Sequence, residues 1–148
     1  MAKNKKEVKS LVELFEEMVK DKSAYVKYNF GKVPDEEVEN VHNQTGIDIT
    51  DYNRSIDSYG INHTLTNHGN PKTEEKRGQV GVELSDFELI ALITSSPDKI
   101  EYVGKNGSGR DLIKYSKKIG HIIHYVEEVR NGKKEVVLQT LYKQKKPN

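Results

Sequence analysis

The sequence predicts a single α+β domain, with helices in its first half and an antiparallel β-sheet of about four strands in its second half. Its 148 residues match the commonest size of a domain with one core. An apolar stripe at helical spacing runs through residues 8–20. Residues 100–142, in contrast, hold segments rich in β-branched and aromatic side chains, separated by turn residues.

The first 45 residues are predicted to be mainly helical. A first helix spans residues 8–20, where apolar side chains recur every three or four positions. Residues 25–30 form either an edge strand or an extended linker. Pro34 and the three acidic residues after it open a second helix, which Gly46 ends. We therefore interpret residues 1–45 as an N-terminal helical extension of the domain that residues 46–148 form.

The next segment is predicted to contain a helix and a mobile loop. Thr50 or Asp51 is a suitable N-cap for a helix that ends near Asn67, because Gly69 supplies a stop signal. Residues 70–79 are polar and highly charged, which is typical of a mobile loop.

The remainder is predicted to be rich in strands. A strand over residues 80–84 and a capped helix closed by the Ser96-Pro97 step lead into this part of the chain. The four main strands are predicted at Ile100 to Val103, Leu112 to Tyr115, His121 to Val129 and Glu135 to Tyr142.

The last two strands are predicted to form a hairpin with Asn131-Gly132 at its tip, since Asn-Gly is the strongest signal for a two-residue turn. This register sets Glu128 opposite Glu135, a like-charge pair that leaves a one-residue bulge as an alternative. The same register pairs Arg130 with Lys133, Ile123 with Thr140 and His121 with Tyr142.

Composition excludes several classes of protein. Lys and Arg number 24 against 23 Asp and Glu, so the charge of +1 predicts no general nucleic-acid coat, and any basic patch is local. The absence of cysteine excludes disulfides, thiolate zinc sites and a cysteine nucleophile, and fits the cytoplasm. The sequence contains neither a membrane span nor a signal-peptide core. We predict no cofactor.

Histidines are the first candidates for chemistry, because they exchange protons at neutral pH. His63 and His68 are five residues apart, which on a regular helix points them away from each other and does not match the spacing of a zinc-protease helix. We therefore predict no metal site. If the helix ends at His68, a turn at Gly69 brings its ring towards His63. The alternative is that both are surface or capping residues.

Basic and aromatic residues supply candidates for substrate binding. Thr140 and Tyr142 share one side of the last strand, where a hydroxyl and a ring can bind a nucleobase. In an ordinary sheet the same two residues are simply strand formers. The cations flank the 70–79 loop and the glycine-rich segment 104–109, where they suit a phosphate backbone or a solvated surface; they are Lys72, Lys76, Arg77, Arg110, Lys114, Lys117 and Lys118.

Several short motifs occur in an order that resembles the phage-associated barnase-EndoU-colicin-RelE-like nuclease domains. The resemblance covers about residues 45–143, and its most specific parts are the His68-Gly69 step and the Thr140-x-Tyr142 strand. The other motifs are His63, Gly78-Gln79, Leu84 to Phe87, Pro97 to Ile100, Ile113 to Lys117, Val126 to Arg130 and Leu138 to Lys143.

The resemblance implies N-terminal helices packed on a curved antiparallel sheet, and a metal-independent endoribonuclease that leaves a 2′,3′-cyclic phosphate. It implies His63 as general base, His68 as general acid and Lys117 or Lys114 as the cation at the phosphorane. Thr140 and Tyr142 would hold the base. The residues predicted to bind the remaining substrate are Lys76, Arg77, Arg110, Lys114 and His121.

This hypothesis has its own structural test and its rivals. Rings of His63 and His68 far apart, with Lys117 and Tyr142 on different surfaces, would contradict the catalytic arrangement.

The predicted partners are RNA, with tRNA as one candidate, and an immunity or host protein; phage delivery would place the domain in the host cytoplasm. The alternatives are a non-catalytic module that binds RNA or protein, and a phage-encoded inhibitor. An ADP-ribosyltransferase is disfavoured, because Glu127-Glu128-Val129 lacks a Glu-x-Glu pair.

Overall fold

The computed structural model describes residues 6–145, which form eight strands and five α-helices. In chain order these are β1 (Lys6–Val8), α1 (Leu11–Lys20), β2 (Val26–Lys32), α2 (Asp35–Thr45), β3 (Asn53–Asp57), α3 (Ser58–His68), α4 (Pro71–Lys76), β4 (Gln79–Val80), α5 (Ile90–Ser95), β5 (Lys99–Lys105), β6 (Asp111–Ile119), β7 (His121–Arg130) and β8 (Glu135–Gln144). Two 3-10 helices, Leu84–Leu89 and Asn131–Lys133, complete the described secondary structure.

The strands form one mixed sheet in the order β1-β2-β3-β8-β7-β6-β5, and β4 pairs with the far end of β8. Strands β8, β7, β6 and β5 are antiparallel neighbours, as predicted. The prediction of about four strands is wrong, because β1, β2 and β3 extend the sheet beyond β8 through parallel and antiparallel pairs. Helices are also not confined to the N-terminal part, since α3, α4 and α5 follow residue 57.

The segment before α3 differs from the predicted helix because its polar residues are buried. Arg54 and Ser55 lie in β3 and are buried there. The segment therefore lacks the alternation of apolar and polar residues by which a strand is recognised in a sequence. The helix begins at Ser58 rather than near Thr50, and Asp57 caps it by accepting a hydrogen bond from the backbone N of Gly60 at 2.7 Å.

The 70–79 segment is not a loop along its whole length, because α4 occupies six of its residues. Asn70 caps this helix through hydrogen bonds from the backbone N of Lys72 and Thr73, and Pro71 suits its first turn. The predicted strand over residues 80–84 overlaps the observed strand β4 at Val80 alone. Helix α5 ends at Ser95, immediately before the predicted Ser96-Pro97 stop.

The hairpin between β7 and β8 does not have the predicted two-residue turn. A 3-10 turn and Lys134, with φ of 48°, connect the strands and bring Arg130 opposite Glu135. An ion pair thereby replaces the predicted Glu128–Glu135 opposition. The anticipated bulge is present, since Gln139 is the extra residue between the pairs Glu127–Leu138 and Val126–Thr140.

The hydrophobic core lies on one face of the sheet, under α2 and α5, and we call it the core face. It contains a buried ionic network centred on Arg54 of β3. Its guanidinium donates to Glu37 of α2 at 2.6 Å and to Glu127 of β7 at 2.9 Å. The hydroxyls of Tyr115 and Tyr125 also donate to Glu127, at 2.6 Å and 3.1 Å. This network ties α2 and β3 to the central strands.

No helix in the described part of the chain is both long enough and apolar enough to cross a bilayer.

Candidate active site

The second face of the central strands carries most of the residues of interest. Because paired residues share a face, Ser116 of β6, His124 of β7 and Tyr142 of β8 form one row across the sheet. Lys114, Val126 and Thr140 form the next row. We call this surface, defined by Lys114, Ser116, His124, Thr140 and Tyr142, the histidine face.

Two imidazoles contact the ring of Tyr142. The His124 ring stacks on it with 4.7 Å between ring centroids, and the His68 ring lies 5.5 Å from it at an interplanar angle of 31°. His68 is the last residue of α3, which packs alongside β8. Near the start of α3, Gly60 lies so close to β8 that a Cβ added to it would be 3.0 Å from the carbonyl oxygen of Leu138. Glycine thus permits the approach that brings His68 to Tyr142.

A buried carboxylate fixes the orientation of His68. The Nδ1 atom of His68 is 3.1 Å from Oε2 of Glu74, a residue with no exposed surface. Arg77 donates to the other carboxylate oxygen, Oε1, at 3.0 Å. Since a carboxylate only accepts hydrogen bonds, Nδ1 carries a proton, and Nε2 is the nitrogen able to accept one. The sequence analysis missed Glu74 because it lies in the segment assigned to a mobile loop.

His124 is held as a neutral ring. Burial is the main cause that lowers its pKa, and the nearby charge of Lys114 acts in the same direction, while the hydrogen bond to Gln144 opposes both. Its Nδ1 lies 2.7 Å from Oγ of Ser116 and its Nε2 lies 3.1 Å from Oε1 of Gln144. A neutral ring with its proton on Nε2 satisfies both contacts, because it accepts from Ser116 and donates to Gln144.

His124 was not among the predicted site residues, because the predicted register set His121 opposite Tyr142. The bulge and the longer turn place His124 there instead. His121 is three residues away on the same strand, hence on the opposite face, and it is exposed. The like-charge clash of the predicted register was the sequence signal that could have shifted the pairing.

His63 and His68 do not converge on one point. Helix α3 is regular through His68, and Gly69 keeps a right-handed conformation with φ of −86°, so the predicted swing of His68 does not occur. Five helical residues rotate the two side chains about 140° apart and separate them by about 7.5 Å along the axis. His68 reaches Tyr142, whereas His63 is exposed beside Asn67 and lines a neighbouring cleft with Arg110.

The two candidate lysines lie on opposite faces. Lys117 donates to the backbone oxygen of Ser96 at 2.6 Å, at the end of α5 on the core face. The structure therefore does not bring Lys117 to Tyr142, and since His63 and His68 also lie apart, it does not show the catalytic arrangement that the family resemblance implied. Lys114 belongs to the histidine face, where its Nζ is 3.5 Å from Glu101 and its side chain is largely buried.

Other predicted residues have separate positions. Arg77 is engaged with Glu74 and with the backbone oxygen of Asn67, while Lys76 is exposed at the end of α4. Thr140 lies on the histidine face, and its buried Oγ1 has no hydrogen-bond partner within residues 6–145. The same residues contain no cluster of three or more His, Cys, Asp or Glu that could hold a metal ion.

Comparison with known proteins identifies a family but no individual relative. Neither the curated proteins nor the solved structures include a significant match to this chain. The family described as phage-Barnase-EndoU-ColicinE5/D-RelE like nuclease3 matches residues 31–147, a range that includes the histidine face, α3 and α4. The chain therefore belongs to this family of nuclease-like domains, as its short motifs predicted.

Proposed function

We propose that the chain is an endoribonuclease that cleaves RNA by attack of a 2′-OH on the adjacent phosphate. The observation that carries this proposal is the contact of His68 with Tyr142 while Glu74 holds its Nδ1. An oriented imidazole beside an aromatic ring on a strand combines a proton acceptor with a surface on which a nucleobase stacks. Membership of a nuclease-like family supports the same class of reaction.

In the proposed reaction, Nε2 of His68 accepts the proton of the 2′-OH. The 2′ oxygen then bonds to phosphorus, the bond from phosphorus to the 5′ oxygen breaks, and His63 donates a proton to that leaving oxygen. The product ends are a 2′,3′-cyclic phosphate and a 5′-OH. This assignment reverses the roles that the family resemblance implied, because Glu74 keeps the proton of His68 on Nδ1.

The spacing of the two histidines is compatible with this assignment. Attack and departure occur on opposite sides of phosphorus, so the base and the acid must approach from two directions. His63 and His68 project from α3 about 140° apart and about 7.5 Å apart along its axis, so the proposal has each ring approach the phosphate from its own direction.

Lys114 is the cation proposed to stabilise the charge that develops on the phosphate, since Lys117 lies on the other face. Tyr142 is proposed to hold the base, and Thr140 lies beside it on the same face of β8. His124, which is neutral and bound on both ring nitrogens, positions Tyr142.

The test compares two substrates in excess EDTA, an oligoribonucleotide and a nucleoside 3′-(4-nitrophenyl phosphate). Nitrophenolate leaves without being protonated, so His63→Ala should slow cleavage of the oligonucleotide alone, by about 10²- to 10⁴-fold. His68→Ala should slow both by a similar factor. Mass spectrometry should detect cyclic phosphate ends, and a matched DNA oligonucleotide should stay intact because it lacks the nucleophile. RNA that remains intact with the unmodified protein would refute the proposal and favour a binding module.

A further inference from the structure

A cleft of about 370 Å³ lies between the first turns of α3 and the loop that connects β5 to β6. It adjoins the histidine face at the bulge of β8 but contains none of the five residues that define that face. The side chains used below are Tyr59, His63, Arg110, Glu128 and Gln139.

The glycine-rich loop is fastened to the sheet by one side chain. The amide nitrogen of Asn106 donates to Glu128 at 2.6 Å and to Gln139 at 3.3 Å. Its amide oxygen accepts from the backbone N of Ser108 at 3.0 Å and of Arg110 at 3.1 Å. Asn106 thereby holds the loop over the sheet and fixes Arg110 at the rim of the cleft.

Arg110 stands at the rim in an ion pair with Glu128, which also pairs with Arg130. Burial raises the pKa of Glu128, but hydrogen bonds from Arg130 and Asn106, together with the positive charges of Arg130 and Arg110, outweigh this effect and hold the pKa below its usual value. Arg130 donates to Oε2 of this carboxylate at 2.8 Å, while Arg110 shares Oε1 with Asn106 at a longer distance of 3.3 Å. The Arg110 side chain is 46% exposed, and its hydrogen bond to Glu128 uses one of its five N–H donors.

The opposite wall of the cleft offers an aromatic surface. Tyr59, in the first turn of α3, is 43% exposed, and its ring meets the edge of Tyr25 with 5.0 Å between centroids. An exposed ring that a neighbour holds edge-on is suited to stacking a base. Gln139, which lines the cleft, and Tyr142, on the histidine face, are three residues apart along β8, a distance of about 10 Å in a strand.

We infer that this cleft is the subsite for the nucleotide on the leaving-group side of the cleaved bond, with Tyr59 stacking its base and Arg110 binding its phosphate. The inference rests on the proposed function, because His63 is taken to protonate the leaving oxygen at the mouth of the same cleft. The substrate is thus single-stranded RNA that spans two neighbouring positions, one on Tyr142 and one on Tyr59.

The experiment measures kcat and KM of Tyr59→Ala and Arg110→Ala on a dinucleotide and on a nucleoside 3′-(4-nitrophenyl phosphate), which has no leaving nucleoside. Each variant should raise KM for the dinucleotide by about 5- to 100-fold and leave the nitrophenyl substrate within about twofold. For a longer oligonucleotide, Arg110→Ala should also reduce the slope of log affinity against log salt by about 0.7. Lys20→Ala, which removes the exposed cation of the Lys20–Glu17 ion pair, is the control and should change the kinetics of neither substrate.

Thermal unfolding of each variant checks its fold, and Arg110→Ala, a change on a loop, remains informative should Tyr59→Ala unfold. If a variant lost equal activity on both substrates, or lost activity on neither, the subsite would be overturned. The proposed function would still stand in that case, provided that the unmodified protein produces cyclic phosphate ends. Failure of the unmodified protein to cleave either substrate would overturn both.

Discussion

Replacing Glu74 by Gln should reverse the position of the proton on the His68 ring. Arg77 donates to Oε1 of Glu74, and a guanidinium can only donate, so the amide introduced by Glu74→Gln must turn its oxygen towards Arg77. The NH₂ group of that amide then faces Nδ1 of His68, where the carboxylate Oε2 was. Nδ1 must now accept a hydrogen bond, which moves the ring proton to Nε2 and removes the proposed base.

The expected loss is that of one proton transfer, about 10²- to 10⁴-fold in kcat/KM. At 1.36 kcal/mol for each factor of ten, this corresponds to about 3–5 kcal/mol of transition-state stabilisation. Initial rates on a fluorescent oligoribonucleotide measure it, with circular dichroism as a check of the fold. The nitrophenyl substrate should lose as much activity, because the base acts on both substrates.

A second substitution separates this account from a general disturbance of α4. In the double variant Glu74→Gln, Arg77→Met the amide is free to rotate and to present its oxygen to Nδ1, which restores the original tautomer. The double variant should therefore be more active than Glu74→Gln alone, by tenfold or more, while Arg77→Met alone has a smaller effect. A double variant no better than the single one, or a fully active Glu74→Gln, would refute the reasoning.

Three further predictions concern the buried ionic network, His124 and the two candidate lysines. Arg54→Met leaves two carboxylates buried without their cation and should lower the free energy of urea unfolding by about 3–5 kcal/mol, whereas Lys32→Met, which breaks an exposed pair, should cost under about 1 kcal/mol. Because the folded pKa of His124 is lowered, the unfolded chain binds its proton first, so stability should be full above the unfolded pKa of about 6.5 and fall as the pH drops through it. His124→Gln should flatten this part of the dependence of unfolding free energy on pH; an unchanged slope would contradict the buried neutral ring. Lys114→Ala should lower kcat/KM by about 10²-fold and Lys117→Ala should not, and the opposite order would return Lys117 to the site.

The sequence predicted those elements whose position is determined by residues close to one another in the chain. The apolar stripe of α1, the left-handed Gly46 after α2 and the Ser96-Pro97 stop after α5 each act within a few residues. Strand β3 could not be predicted in this way, because Arg54 is buried only through carboxylates that are distant in sequence. The family resemblance, which the comparison confirms, came from short motifs and did not depend on these elements.

The site shows the same division between local and distant determinants. His68, Thr140 and Tyr142 were predicted from motifs that hold whatever the register is, and their roles stay proposals. Glu74 is the one buried residue of the otherwise exposed helix α4, and His124 depends on strand pairing, so the sequence did not single them out. Lys114 and Lys117 were equivalent in the sequence, and only the side of the strand on which each one lies distinguishes them.

The bulge at Gln139 explains how one strand serves both the core and the site. Before the bulge, Leu138 pairs with Glu127 and faces the core; after it, Thr140 and Tyr142 pair with Val126 and His124 on the histidine face. Without an extra residue, strict alternation from Leu138 would turn both Thr140 and Tyr142 towards the core. Because the extra residue is Gln139, whose side chain also accepts a hydrogen bond from Asn106, the irregularity that turns Tyr142 onto the histidine face is also a point where the glycine-rich loop is fastened. The two proposed subsites are therefore built around a single irregular residue of β8.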